Sequence, residues 1–145
     1  MKILNIRFLK LWLKYYLSKY SRYRHLFWTI INLRPKSILE IGVYKGIRAS
    51  EMIHLASYFH NTIYYYGFDL FNDIKKNKIN SELSKKPLPK NILQTKLSKL
   101  HKNTKINLTQ GNTIKTLKNF VKLKKKIDLI FIDGGHSIKT IKSDW

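Results

Sequence analysis

The sequence predicts an α/β fold in which a parallel sheet carries helices on both faces. From residue 36 onward, short apolar runs alternate with segments of helical periodicity, the pattern of strand–helix–strand units. Right-handed connections between such units place the helices on the faces of a parallel sheet. The run Leu129-Ile130-Phe131-Ile132 has no polar position, as expected of a strand covered on both sides.

A basic segment over residues 1–33 precedes this pattern and predicts helix. Arg7, Lys10 and Lys14 recur at spacings of three and four, which places them on one helical face. Lysines recur too often for a membrane-spanning helix, which needs about 20 mostly apolar residues. The segment also lacks the features of a signal peptide. Two interpretations remain: a helix packed on the domain, or peripheral contact of residues 1–20 with the inner face of a membrane.

The elements follow from apolar periodicity and from the residues that interrupt it. A break is expected near residues 21–24. A second helix follows the break, and Pro35 ends this second helix. Residues 71–90 are polar and rich in lysine, which predicts an irregular excursion. In order, the predicted elements are helix 25–33, strand 37–42, helix 46–59, strand 62–68, helix 91–100, strand 106–109, a helix through Ile114, Leu117 and Val121, strand 127–132, and a helix from Ser137.

The composition is strongly basic, with 29 Lys+Arg against 8 Asp+Glu in 145 residues and a net charge of +21. Such a charge attracts nucleic acid whatever its sequence. Codon bias offers a second explanation, because Lys, Ile, Asn and Tyr all have A/T-rich codons. The absence of cysteine excludes disulfides, zinc–thiolate sites and cysteine nucleophiles.

Three of the eight acids, Glu40, Asp69 and Asp133, lie at or next to the ends of predicted strands. In open α/β sheets, ligands bind at the edge where the strands end. These acids are therefore candidate functional residues, although helix caps and first-turn charges are the alternative. Asp69 is placed to accept hydrogen bonds from the two hydroxyls of a ribose.

Two glycines follow the first predicted strand. Gly42 ends it where a side chain would obstruct a ligand, and Gly46 opens the next helix and permits a close backbone approach. The spacing G-x-x-x-G differs from the G-x-G-x-x-G of dinucleotide-binding folds and from the phosphate-binding P-loop. Because Lys45 precedes Gly46 rather than following it, ATP is disfavoured.

In combination, four motifs resemble the class I S-adenosylmethionine-dependent methyltransferases. The branch is the one that contains the macrolide-sugar O-methyltransferases and the cephalosporin-hydroxylase-like proteins. The resemblance covers about residues 34–145 and leaves 1–33 as a separate helical segment. The motifs are ILEIGVYKG at 38–46, YGFD at 66–69, IFIDGGHS at 130–137 and KSDW at 142–145.

The resemblance implies a Rossmann-like sheet of strand order 3-2-1-4, continuing to 5, 7 and 6, with S-adenosylmethionine across the ends of strands 1 and 2. Asp69 would bind the ribose hydroxyls, and the amide oxygen of Asn112 would accept a bond from the adenine amino group. The methionine part would be held by Glu40 and by the backbone of Gly42, Tyr44 and Gly46.

Asp133 matches the first metal ligand of metal-dependent members of the family. The ion would resemble Mg²⁺, bind oxygen ligands and hold a substrate hydroxyl. His136 would act as the general base that removes the hydroxyl proton, since its unperturbed pKa of ~6.5 suits that role. The alternative for His136 is a turn residue that caps the following helix.

Family domains are longer than this chain. The resemblance implies that residues 34–145 form the cofactor-binding part, without the C-terminal strands, and that the isolated chain has weak or no activity. The last predicted strand would then be an exposed apolar edge, which is compatible with a homo-oligomer.

The resemblance points to a small molecule, such as a sugar or glycan precursor, as the methyl acceptor of a cytoplasmic enzyme. A nucleic-acid methyltransferase, acting on RNA, is the alternative. Against it, the chain lacks the Asn/Asp-Pro-Pro-Tyr motif of amino-directed nucleic-acid methylation. A third reading is a non-catalytic module that binds the cofactor or a membrane surface.

Overall fold

A computed structural model describes residues 23–71, 87–134 and 138–144, together with residues 6, 9, 10, 12 and 13, whose backbone is helical. The elements alternate as the sequence predicts. In chain order they are α1 (Arg24–Leu33), β1 (Ser37–Ile41), α2 (Ile47–Ala56), β2 (Ile63–Asp69), α3 (Lys90–Leu100), β3 (Thr104–Gln110), α4 (Thr113–Val121), β4 (Leu129–Ile132) and α5 (Ile138–Asp144).

The four strands form one parallel sheet of order β3-β2-β1-β4. Leu39 in β1 pairs with Tyr66 in β2 and with Ile130 in β4, and Tyr66 pairs with Asn107 in β3. The α/β class and the strand order expected from the sequence are therefore confirmed. Because all four strands run the same way, their carboxyl ends lie at one edge and their amino ends at the other.

Each face of the sheet buries its own apolar cluster. Three helices cover the first face, since Phe27 of α1, Met52 of α2 and Leu93 of α3 join one core with Ile63 and Tyr65 of β2. On the second face, Tyr66 and Phe68 of β2 pack against α4. The alternation of side chains along each strand fixes which face a residue serves.

The expectation that β4 is covered on both faces is wrong for the residues described. Leu129 is buried, but Ile130 is 57% exposed. Phe120 of α4 packs on Tyr66 and Phe68 of β2, and Ile132 at the end of β4 joins the same cluster, whereas Ile130 does not. In the described part of the sheet, β4 is an outer strand, and this position accounts for the apolar exposure at Ile130.

Three boundaries and one buried face also differ from the prediction. The helix predicted over 46–59 ends three residues early, at Ala56. β3 begins at Thr104 rather than Ile106, and β4 begins at Leu129 rather than at 127. The Asp128 carboxylate accepts the backbone N–H groups of Lys36 and Ser37, so the chain turns at Asp128 before β4 starts. Val121 is 71% exposed, and Phe120 takes the buried position on α4 instead.

Some predictions lie on residues that the structure does not describe. They concern residues 21–22 of the break before α1 and residues 72–86 of the excursion after β2. Across the residues that are described, no helix has the length and apolar character needed to cross a membrane. Membrane contact through residues 1–20 stays a prediction.

Candidate active site

The carboxyl edge of the sheet brings together Glu40, Asp69 and Asp133. Glu40 lies in β1, which pairs with β2 on one side and with β4 on the other. β2 ends at Asp69, and Asp133 directly follows β4. The charges of Asp133 and Asp69 both act on Glu40 and raise its pKa. The edge therefore groups the three acids that the sequence singled out.

Glu40 is the most deeply buried of these acids, with 1% of its surface exposed. Burial raises the pKa of Glu40 to about 8 from its ordinary value of 4.5; the hydrogen bond from Tyr65 opposes this rise, and Asp133 and Asp69 add to it. Burial and the neighbouring carboxyl also raise the pKa of Tyr65, so its hydroxyl stays protonated and donates a hydrogen bond to Glu40. At neutral pH Glu40 is mostly protonated.

The register of the sheet explains why Tyr65 reaches Glu40. Tyr65 lies opposite Ile38, and Ile38 and Glu40 share one face of β1 because they are two residues apart. The Tyr65 ring is fully buried and packs in the core beneath the Glu40 carboxyl. The Tyr65 hydroxyl gives this carboxyl its hydrogen-bond partner. Sequence reasoning missed Tyr65, because its role follows from the pairing of two strands.

Gly42 has a packing role in addition to the one expected, and its place beside a ligand stays a prediction. Its φ is +89°, and a Cβ at this position would lie 2.5 Å from the carbonyl oxygen of Asp133 and 2.6 Å from the Cα of Gly134. A side chain here would collide with the backbone of the residues that follow β4. Gly42 and Gly134 thus allow the loops after β1 and β4 to touch.

Gly46 has a similar packing role at the start of α2. Its φ is +71°, and a Cβ would lie 2.5 Å from Cδ1 of Leu93 in α3. The missing side chain lets α3 pack against the beginning of α2. The predicted close approach at Gly46 is therefore an approach of another helix.

Asp69 organises the loop between β1 and α2. Its Oδ2 accepts the N–H of Tyr44 at 2.7 Å, and its Oδ1 accepts the N–H of Phe71 at 3.2 Å. Tyr44 has a φ of +52°, so this hydrogen bond stabilises a left-handed turn that a non-glycine residue seldom adopts. Each carboxylate oxygen retains lone-pair capacity for a further donor, such as a ribose hydroxyl.

Asn112 caps α4. Its Oδ1 accepts the N–H of Ile114 at 2.9 Å, the usual bond of a side chain at a helix N-cap. This bond engages the same oxygen that the resemblance assigns to the adenine amino group. The contact with adenine stays a prediction, and it would have to use the second lone pair of the oxygen.

Asp133 is held by Tyr23, which comes just before α1. The Tyr23 hydroxyl donates to Oδ2 of Asp133 at 2.9 Å. The Tyr23 ring meets the edge of Phe131 at 6.2 Å, and the Arg48 guanidinium lies 4.3 Å from its centre. Tyr23 and Arg48 were missed from sequence, since 110 positions separate Tyr23 from Asp133 and no motif joins them.

The described residues do not assemble a metal site. Among them, no group of three or more His, Cys, Asp or Glu side chains could hold a metal ion. Asp133 offers a single carboxylate, and one of its oxygens accepts the Tyr23 hydroxyl. The expected Mg²⁺ therefore has no ligand set among the residues that the structure describes. His136 lies outside the described residues.

We expect Tyr23→Phe to lower the free energy of unfolding by about 1–2 kcal/mol, because it removes a hydrogen bond to a carboxylate but keeps the ring. Urea unfolding followed by circular dichroism measures this change. Tyr64→Phe is the matched control, since Tyr64 is 39% exposed and should change stability by less than about 0.5 kcal/mol. Equal effects of the two variants would contradict a stabilising contact between Tyr23 and Asp133.

A comparison with protein families matches residues 39–145 to a family described as a methyltransferase domain. A search of curated proteins gives no match. The family match begins inside β1 and extends past β4, so it includes the sheet edge with Glu40, Asp69 and Asp133. Together with the parallel sheet of order 3-2-1-4, this match shows that the chain belongs to the methyltransferase-domain family and is a methyltransferase.

Proposed function

We propose that the protein binds S-adenosylmethionine across the ends of β1 and β2 and transfers its methyl group to a hydroxyl of a small molecule. Sugars and glycan precursors are the acceptor class, in line with the macrolide-sugar and cephalosporin-hydroxylase-like branch that the sequence resembles. The observation that carries the proposal is the position of Asp69, which ends β2 and shapes the loop after β1 through its bond to the Tyr44 N–H.

The residues at this edge suit the cofactor. Asp69 is ionisable, nearly buried at 8% exposure, and already fixed by two backbone N–H groups. A carboxylate held in this way loses little entropy when it accepts ribose hydroxyls. Glu40 lies one strand away, where a cationic ligand would favour its ionised form. When bound, the cofactor supplies an electrophilic methyl group on a sulfonium.

Asp133 and His136 are the residues proposed to act on the acceptor. Asp133 follows β4 on the other side of β1 from Asp69, and Tyr23 fixes one of its carboxylate oxygens. The Asp133 carboxylate has lone pairs for a further hydrogen bond, from the acceptor hydroxyl, and would orient that hydroxyl. His136 would take the hydroxyl proton as the oxygen–methyl bond forms, and the neutral thioether would leave.

The cofactor assignment is tested by calorimetry with S-adenosylmethionine. Asp69→Ala should weaken binding by about 1–3 kcal/mol, because two ribose hydroxyls would lose their acceptor. Asp128→Ala is the matched control: it too removes a carboxylate that accepts two backbone N–H groups, but at the opposite edge of the sheet. We expect the control to bind the cofactor within about twofold of the parent chain.

The two variants together decide the assignment. If Asp69→Ala binds as tightly as the parent chain, Asp69 is not the ribose ligand. If both variants weaken binding equally, the weaker binding comes from a less stable fold and not from the loss of a ribose ligand. The acceptor class is tested separately, by offering a labelled methyl donor with sugars and with RNA. Label in RNA alone would contradict a small-molecule acceptor.

A further inference from the structure

The amino edge of the sheet, where the strands begin, is lined by cations. Because the strands are parallel, the residues that lead into all four of them meet at this edge. Asp128 is the sole carboxylate in the segments 34–36, 57–62, 101–103 and 122–128, and it is occupied by the backbone of Lys36 and Ser37. The exposed cations in or next to these segments are Arg34, Lys36, Lys102, Lys105, Lys122, Lys124, Lys125 and Lys126.

Three of these lysines surround two tyrosines of β2. The Nζ of Lys36 lies 6.0 Å from the centre of the Tyr64 ring, and the Nζ of Lys125 lies 4.8 Å from that of Tyr66. Lys105 is the partner of Tyr64 in the register of β3 and β2, so its side chain leaves the sheet on the same face. We call Lys36, Tyr64, Lys105 and Lys125 the amino-edge patch.

Tyr64 is the accessible ring of this patch. It is 39% exposed, whereas Tyr66 is 8% exposed because it is packed against Phe120. The backbone of Tyr64 is fixed, since its N–H donates to the carbonyl of Lys36 at 2.9 Å. The patch thus presents one aromatic ring on a rigid strand, with the Lys36 ammonium near it and Lys105 at the paired position on the neighbouring strand β3.

From this arrangement we propose that the amino-edge patch binds single-stranded nucleic acid. Lysines would contact the phosphates, and an unpaired base would stack on Tyr64. A duplex keeps its bases stacked inside, so it could use the lysines but not the ring. A codon bias toward lysine explains the number of cations. It does not explain why they are grouped around an exposed tyrosine with no free carboxylate in the segments beside it.

This binding is separate from the proposed methyl transfer. The patch lies at the edge where the strands begin, and Glu40, Asp69 and Asp133 lie where they end. Nucleic acid bound here would not be the methyl acceptor. Its affinity should be the same with and without S-adenosylmethionine, so the two proposals can fail independently.

The test is fluorescence anisotropy with a labelled single-stranded oligonucleotide of about 15 nucleotides, as RNA and as DNA. We expect Lys36→Gln, Lys105→Gln and Lys125→Gln together to weaken binding at least about tenfold. The slope of log affinity against log salt should fall by about 2, because each phosphate contact contributes about 0.7 on single strands. The control variant loses the same charge from exposed helix positions: Lys96→Gln, Lys115→Gln and Lys118→Gln.

The control should weaken binding by less than about threefold. Tyr64→Ala should weaken it by about tenfold without changing the salt slope, because stacking does not depend on counterions. Ultraviolet crosslinking of the parent chain should join the oligonucleotide to the peptide that contains Tyr64, a result that needs no variant to fold.

Equal losses in the two lysine variants would overturn the proposal and leave a general effect of net charge. Tighter binding to a duplex than to a single strand would also overturn it. So would binding to vesicles of anionic phospholipid that depends on the patch while the oligonucleotide fails to bind, since the surface would then serve a membrane.

Discussion

Replacing Gly42 with alanine is expected to lower the free energy of unfolding by about 3 kcal/mol or more. The left-handed φ of +89° accounts for about 1–2 kcal/mol of this loss. The remainder comes from the new Cβ, which would lie 2.5 Å from the Asp133 carbonyl oxygen. Because that neighbour is backbone, the loops after β1 and β4 would have to separate. Urea unfolding followed by circular dichroism measures the loss.

Gly111→Ala is the control for this experiment. Gly111 also has a positive φ, +130°, but a Cβ there would meet only the Cγ2 of Thr116, at 3.3 Å. We expect it to cost about 1–2 kcal/mol, mainly through backbone strain. If Gly42→Ala costs no more than this control, the two loops are not in the tight contact described.

Replacing Glu40 with glutamine should remove a large dependence of stability on pH. The carboxyl ionises near pH 4.5 in the unfolded chain and near 8 in the folded protein. Between these values the folded protein holds a proton that the unfolded chain has released, so rising pH favours unfolding. The stabilisation is complete below pH 4.5 and is lost as the pH rises through 8, by up to about 5 kcal/mol.

Glutamine cannot ionise, and its amide oxygen can still accept the Tyr65 hydroxyl. We therefore expect Glu40→Gln to exceed the parent chain in stability by several kcal/mol at about pH 8.5, and to differ much less at about pH 5. Glu51→Gln is the control, because it makes the same substitution at an acid that is ion-paired with Arg48 on α2 and lies outside the Glu40–Tyr65 contact. Parallel stability curves for Glu40→Gln and the parent chain would refute a buried, protonated Glu40.

Much of the fold could be predicted from the sequence because its strands are sharply bounded. β1 and β2 are apolar or aromatic runs that end at Gly42 and Asp69. The local sequence pattern was therefore enough to predict where these strands end and that they are parallel. For β4 the sequence supported two conflicting expectations, burial on both faces and an exposed apolar edge, and the second one fits the described residues. An all-apolar run is compatible with burial on both faces, but the position of α4 over β2 leaves Ile130 exposed. That position depends on the packing of Phe120, which periodicity alone does not specify.

The acids of the candidate site could be predicted from the sequence, but the residues that hydrogen-bond to those acids could not. Glu40, Asp69 and Asp133 stood out because acids are few and each follows an apolar run. Tyr65 acts on Glu40 only through the register of two strands, and Tyr23 reaches Asp133 from outside the region that matches the family. Such partnerships are set by tertiary contacts between distant positions, and one sequence carries no signal of them.

The contact between Gly42 and Gly134 bears on how this enzyme could be engineered. At this point the backbone of the loop after β1 touches the backbone at the start of the loop after β4, with no side chain between them. Substitutions around Asp133 can change its surroundings while this contact holds it in place relative to β1, whereas a side chain at Gly42 would separate the two loops only at a large cost in stability. A designer who wished to admit a larger acceptor would therefore have to alter the length of one of these loops.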